Sequence, residues 1–441
     1  MLERVIKFWE DLQQRIWVIP ALASIIGVVG AMGLVTLDRE SEAALRLPLV
    51  PIVQDAANAR ELMSTVAGTF IGAAASLFSI TLVAMTLASQ QYGPRLLGNF
   101  MSDRISQAVL ATFIGGAAYC LVVLWAVEDG ATTFVPSSAV SVGMAWAFAG
   151  LGVMIYFLYH IAESMRLSRI LSNITESMEL AIELMYPSTI GSSSPVEGAG
   201  EAYAFEFERE ARPIYAKGSG YVQTVAGSQV LDLASERDLV ITLQLRPGQF
   251  MSPGMEIARV YPSSAQLEDE IVDGIADSFL LGLERSPAQD IEFLFQKLCD
   301  IANKALSPAV NDPYTAIMSI DRMGLGIVQV LQEEPVDPVR YDDEGRVRVI
   351  ARGATSLAVL LDTCFESVRH YAATDLKVLI RIIEVLGDLA PHLRTNEERE
   401  LTRSQLERTL SYIRRLDSTG WNISQGVEAY GMAVERLSPT P

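Results

Sequence analysis

The stretch Leu62–Tyr92, LMSTVAGTFIGAAASLFSITLVAMTLASQQY, runs for 31 residues without a charge. About 20 apolar residues cross the ~30 Å hydrocarbon core of a bilayer, so a chain carrying this stretch is built around a membrane domain. Its polar residues fall in a pattern. Alternate steps of four and three from Thr65 give Thr69, Gly72, Ser76, Ser79, Val83, Thr86 and Gln90, a helical seam that is hydroxyl, amide or glycine everywhere except Val83. Phe70, Leu77, Leu82 and Leu87 are assigned to the opposite side. A seam turned to lipid would meet only apolar tails, so it is expected to face protein or water. Two readings stay open. Membrane helices associate through small residues and hydroxyls, and Gly68-xxx-Gly72 is one such pair. Alternatively, the seam lines a water path where several chains pack about one axis.

Charge divides the chain near residue 161. Residues 1–161 hold 8 Lys/Arg against 11 Asp/Glu, whereas residues 162–441 hold 26 against 42. The front reads as a membrane domain and the back as an acidic, water-soluble region. Such acidity argues against nucleic acid, whose binding rests on neutralising phosphates, and against a polybasic grip on anionic lipid. Cys120, Cys299 and Cys364 show no paired spacing and read as free thiols. His160, His370 and His392 form no cluster at metal-ligand spacing, so neither a metal nor a cofactor is expected.

Taken in order, residues 1–15 lack the features of a signal peptide. Leu2, Val5, Ile6, Trp9 and Leu12 instead predict an amphipathic helix at the interface. Four spans follow, at about 16–37, 62–92, 105–127 and 137–161. Arg4, Lys7 and Arg15, with Arg95, Arg104, Arg166 and Arg169, place both termini in the cytoplasm by the positive-inside rule, while Arg39, Arg46 and Arg60 dissent. The apolar stripe from Leu167 to Met185 predicts that span four continues outward as one long helix, followed by a Gly/Ser/Pro linker to about residue 201.

Residues 202–265 change period. Tyr203, Phe205 and Phe207 alternate with polar neighbours, and YVQTV, VITLQL and EIARV read as short strands. The order AKGSGYVQTV … LVITLQLRPGQFMSPGMEIARV resembles the barrel-sandwich domains that carry biotin or lipoate. The only lysine there, Lys217, precedes the first strand, so the resemblance implies a small β module without a carrier site. Residues 266–441 read as mostly helical, near 267–284, 288–305, 314–332, 356–371, 375–391, 397–417 and 423–437. Ser286-Pro287, Asp312-Pro313 and Thr395-Asn396-Glu397-Glu398 are expected helix starts, and residues 340–351 a hairpin. The fold class expected is therefore four transmembrane helices followed by a cytoplasmic α+β region.

The densest polar cluster in the soluble part comprises Glu284, Arg285, Asp290, Glu292, Asn311, Asp312, Asp321 and Arg322. These are the residue types of a paired-carboxylate or magnesium site, but also those of helix caps and interhelical ion pairs. No GxSxG, HExxH, Walker loop or GxGxxG in a strand–helix setting accompanies them, and no enzymatic activity is expected. No Asp, Glu, Lys or Arg lies inside a span, which counts against an ion-coupled carrier but not against a channel.

Phe8-Trp9, Pro20–Leu22, FSITLVAMTLASQQYGPRLLGNFMSDR (78–104), ERSPAQDIEF (284–293) and ALSPAVNDPYTAIMSIDR (305–322) resemble a bacterial family of predicted integral membrane proteins catalogued as a domain of unknown function. The resemblance runs from about residue 3 to 420. It implies an inner-membrane location and transfers no activity, ligand or catalytic residue. The function expected is a homo-oligomeric channel with a cytoplasmic assembly or gating domain. The alternative is a membrane-anchored scaffold or sensor whose helical domain binds a protein partner.

Overall fold

The computed structural model describes residues 17–40, 55–93, 95, 103–128, 134–192, 211–262, 268–417 and 421–438. The readings placed on residues 1–15, on the linker from 193 onward and on the Tyr203–Phe207 alternation lie outside them. Two compact units divide the chain, Met1–Arg169 and Ile170–Pro441.

The first unit is built from α1 (Val18–Glu40), α2 (Ala56–Tyr92), α3 (Arg104–Ala126) and α4 (Ser137–Ser164), each long and apolar enough to cross a membrane. Helix α3 is the hub. Over half of its apolar stretch is buried, against 22–28% for the other three. Glycines set how closely its neighbours approach. A Cβ on Gly27 of α1 would lie 2.4 Å from the Gly115 carbonyl oxygen of α3, and one on Gly115 would lie 2.9 Å from that of Ala23. The ring of Phe70 from α2 occupies the space left by Gly116 and Gly150 and meets Phe113 edge-on at 5.5 Å. Met63 fills the space beside Gly143. These contacts let apolar helices associate where the solvent gives them no hydrophobic reason to.

Span four does not run on unbroken. Helix α4 stops at Ser164, Met165 and Arg166 make a turn in which the Arg166 N–H donates to the Glu163 carbonyl (3.1 Å), and α5 (Leu167–Glu183) begins anew. Helical periodicity carries through one such turn, so the stripe alone did not reveal the break.

The second unit contains α5 from Ile170 onward, then β1 (Arg212–Tyr215), β2 (Gly220–Val225), α6 (Gly227–Glu236), β3 (Val240–Leu243), β4 (Phe250–Met251), β5 (Glu256–Tyr261), α7 (Asp269–Asp277) and β6 (Phe279–Gly282). Helices α8 (Ile291–Ala305) and α9 (Pro313–Gln332) follow, then β7 (Val339–Tyr341), β8 (Val347–Ile350), α10 (Leu357–Tyr371), α11 (Leu376–Asp388), α12 (Asn396–Asp417) and α13 (Ser424–Leu437). The strands form no closed barrel. They divide into a mixed five-stranded sheet, β1-β5-β3-β8-β7, and a three-stranded sheet, β4-β2-β6. The barrel-sandwich resemblance fails at two points. Residues 227–236, placed where a hairpin would be needed, form a helix that buries Val230 and Ala234. The sheets also recruit β6 from residues read as helical, while β7 and β8 are the hairpin expected at 340–351. Phe279–Gly282 pair with β2, where Phe279 and Leu281 join the core with Val222 and Val225.

Helix starts differ in one place. Asp312 caps α9 through the Thr315 N–H (3.2 Å) with Pro313 at its first position, and Thr395 and Glu398 cap each other (3.1 and 3.0 Å). Ser286 caps nothing. Its Oγ accepts from the Ala288 N–H, and α8 starts later, with Asp290 as its cap.

Candidate functional site

The polar seam of α2 points outward. Thr65, Thr69, Gly72, Ser76, Ser79, Val83, Thr86 and Gln90 are all exposed. The face α2 lays on its own bundle is an alanine stripe (Ala59, Ala67, Ala74, Ala84, Ala88) carrying Met63, Phe70 and Leu77 as knobs. A Cβ added at Gly68 or Gly72 would meet nothing within 4 Å. Among the described residues, therefore, the small-residue pair packs no helix. Leu82 and Leu87, assigned to the far side with Phe70 and Leu77, are also exposed. Thr69 and Thr86 donate back to the carbonyls of Thr65 and Leu82, each at 2.8 Å. Among the described residues, Ser76, Ser79 and Gln90 make no side-chain hydrogen bond.

Polar ties fix both ends of this bundle. At one end Asp38 accepts from the Ser138 and Ala139 N–H groups (3.0 and 3.1 Å), so the last turn of α1 caps the first turn of α4. Arg39 pairs with Glu128 at 2.6 Å and lies over the Phe134 ring, while Arg60 donates to the Val127 carbonyl at 2.7 Å. At the other end His160 meets Asp103 at 2.8 Å, and Asp103 also caps α3 through the Ile105 and Ser106 N–H groups. In the sequence Arg39 and Arg60 stand only as loop charges, and Asp38 lies just past the first expected span. Their charge at helix ends was the available signal; which helix each would reach was not.

The polar cluster of the second unit separates. Arg285 binds Asp290 through two hydrogen bonds (2.6 and 2.8 Å), with Glu292 at 3.9 Å and Gln296 accepting at 3.1 Å. Burial opposes the Arg285 charge, but the Asp290 and Glu292 carboxylates outweigh it and hold its pKa above the ordinary arginine value. Lys297, one turn beyond Phe293 and 4.9 Å from that ring, has its pKa lowered by burial. Glu284 is exposed. Asp312 caps α9, Asn311 is exposed with φ 49°, and Asp321 pairs with Arg381 at 2.6 Å. Asp290 precedes α8 and Asp312 follows its far end. The 15-residue α8 separates them, and because the Asp312 N–H donates to the Ala305 carbonyl at its far end, the two lie about 22 Å apart at 1.5 Å per residue. They do not make a carboxylate pair. Among the described residues, no three His, Cys, Asp or Glu side chains are placed to hold a metal ion.

A family described as Predicted membrane protein (DUF2254) matches residues 13–388. Two relatives, Uncharacterized protein Mb1321c of Mycobacterium bovis and Uncharacterized protein Rv1290c of Mycobacterium tuberculosis, are each 27% identical over 413 residues, covering 92% of this chain and 77% of theirs. No solved structure matches the chain.

Proposed function

We propose, on the premise that the chain belongs to this family of predicted membrane proteins, that it is a homo-oligomeric, pore-like channel of the bacterial inner membrane. Several copies turn their α2 seams toward a common axis, and the soluble unit assembles or gates the ring. The observation that carries this reading is the exposure of all eight seam positions, with Gly68 and Gly72 empty of contact. Intrachain packing is served instead by Gly27, Gly115, Gly116, Gly143 and Gly150. Unbonded serines and glutamine gain nothing from lipid tails, and a second copy or a water path would satisfy them.

The reading places both termini in the cytoplasm. It rests on the Lys/Arg of the N-terminal segment, of the second loop and after the fourth span, while Arg39, which pairs with Glu128, and Arg60, which donates to the Val127 carbonyl, count against it. The function contains no catalytic step.

One observation favours the scaffold or sensor as a second reading. The Thr69 and Thr86 hydroxyls are already satisfied by their own helix, so the seam has less need of water and serves dry packing between copies equally well. Ser76→Leu and Ser79→Leu separate the two. In a channel they change single-channel conductance while the oligomer survives. In a scaffold they either break the oligomer or change nothing.

A further inference from the structure

The α2 seam carries a charge at one mouth, and its consequence rests on the reading of α2 as the wall of a path shared between copies. Glu61 lies five whole turns before Ser79, and Asn58 five before Ser76, so both continue the seam's face beyond Thr65. Both are exposed, as the seam is. From Thr65 to Thr86 the hydroxyl-bearing part of the seam rises about 32 Å at 1.5 Å per residue, close to one hydrocarbon thickness. Glu61 stands one turn beyond it, where a carboxylate meets water rather than lipid tails.

No neighbour among the described residues cancels this charge. Glu61 has no hydrogen bond or ion pair there. Arg60 leaves the helix about 100° round from Glu61 and donates to the Val127 carbonyl at 2.7 Å. Arg39, at the same end of the bundle, pairs with Glu128 at 2.6 Å. The N-terminus of α2 contributes about half a positive charge. Against it stands the Asp55 cap, whose carboxylate accepts from the Asn58 N–H at 3.1 Å. From Thr65 to Gln90 the seam is neutral, and Arg95, past its other end, already has a partner. The charge left standing on the seam's face is one carboxylate per chain.

We propose that the shared path passes small cations in preference to anions, with the Glu61 carboxylates of the assembled copies forming a ring at its mouth. The ring holds no ion in place. Its field concentrates cations and repels anions at the entrance. The hydroxyls behind it both donate and accept, so they favour neither sign.

The test is the reversal potential of the purified full chain in planar phosphatidylcholine bilayers under a potassium chloride gradient. A potassium-over-chloride permeability ratio of about ten or more is expected near 0.1 M salt. It should fall toward unity at about 1 M, as the Debye length shrinks from about 10 Å to about 3 Å. Glu61→Gln should bring the low-salt ratio to within about twofold of unity, and Glu61→Lys should invert it. Neither substitution removes a contact among the described residues, so the unfolding temperature and the mass of the assembly should match wild type. A conducting path that prefers chloride, or one whose ratio Glu61→Gln leaves unchanged, overturns the cation preference and leaves the channel standing. A wild-type ratio that does not fall with salt overturns it too, whether or not the variants assemble. Absence of conductance from an intact ring overturns the channel itself, and the cation preference with it.

Discussion

At Asp342 one buried carboxylate holds the turn between β7 and β8. It accepts from the Glu344 and Arg346 N–H groups (3.0 and 2.8 Å) and from the side chains of Arg346 and Arg348 (3.0 and 2.8 Å). Arg348 in turn reaches Asp238 at 2.8 Å. Burial alone would raise the Asp342 pKa, but Arg348 and Arg346 outweigh it and hold the carboxyl well below the usual carboxylate range. A depressed folded value means that the stabilisation is complete above the unfolded value near 3.9 and is lost as pH falls below it. Asp342→Asn should therefore lower the stability of the second unit by about 2 kcal/mol at pH 7. That is less than for a wholly enclosed pair, because Arg346 is half exposed. Thermal unfolding of both proteins from pH 7 to pH 3 checks it: the gap should stay constant to about pH 4 and then narrow. Capping chemistry was partly legible at this scale. Asp312 before Pro313 announced a helix start, since proline suits the first helical position. Ser286 before Pro287 announced the same and was wrong, because Asp290 both caps α8 and binds Arg285. That pairing depends on a fold the local sequence does not contain.

Among the helices, the position of a glycine decides its role. Gly27 sits with its α-carbon against the α3 backbone, so Gly27→Leu would drive a side chain into the Gly115 carbonyl. The expected cost is about 1–3 kcal/mol or more, read as a lower unfolding temperature of the detergent-purified protein. Gly72 has open space around it. Gly72→Leu should leave that temperature unchanged and reduce the oligomeric fraction in size-exclusion chromatography. Equal loss of stability in both variants would mean that α2 packs its seam inside the chain. The four apolar helices were readable because charge cannot enter the hydrocarbon core cheaply, although α2 begins six residues before the expected Leu62 and takes in Arg60 and Glu61. The seam was readable as a face, but not its direction, because periodicity separates two sides of a helix without naming the neighbour of either. The sheets were less legible. Strands β2, β3 and β5 showed their alternation, yet β3 pairs in parallel with β8, more than a hundred residues later, and no local pattern specifies such a partner.

For the whole molecule, four apolar helices make a bundle whose interior is filled by its own alanines, glycines and aromatic knobs. A water path down the middle of one chain has no room there. If the protein conducts, the path lies between copies, and the α2 seam is the polar surface available to line it. The most direct measurement is the mass of the intact protein in nanodiscs by native mass spectrometry. A closed ring of three or more chains is the expected result, since it sets several Thr65–Gln90 seams around one axis. A monomer would contradict the shared-axis channel and leave the exposed seam without a partner of its own kind.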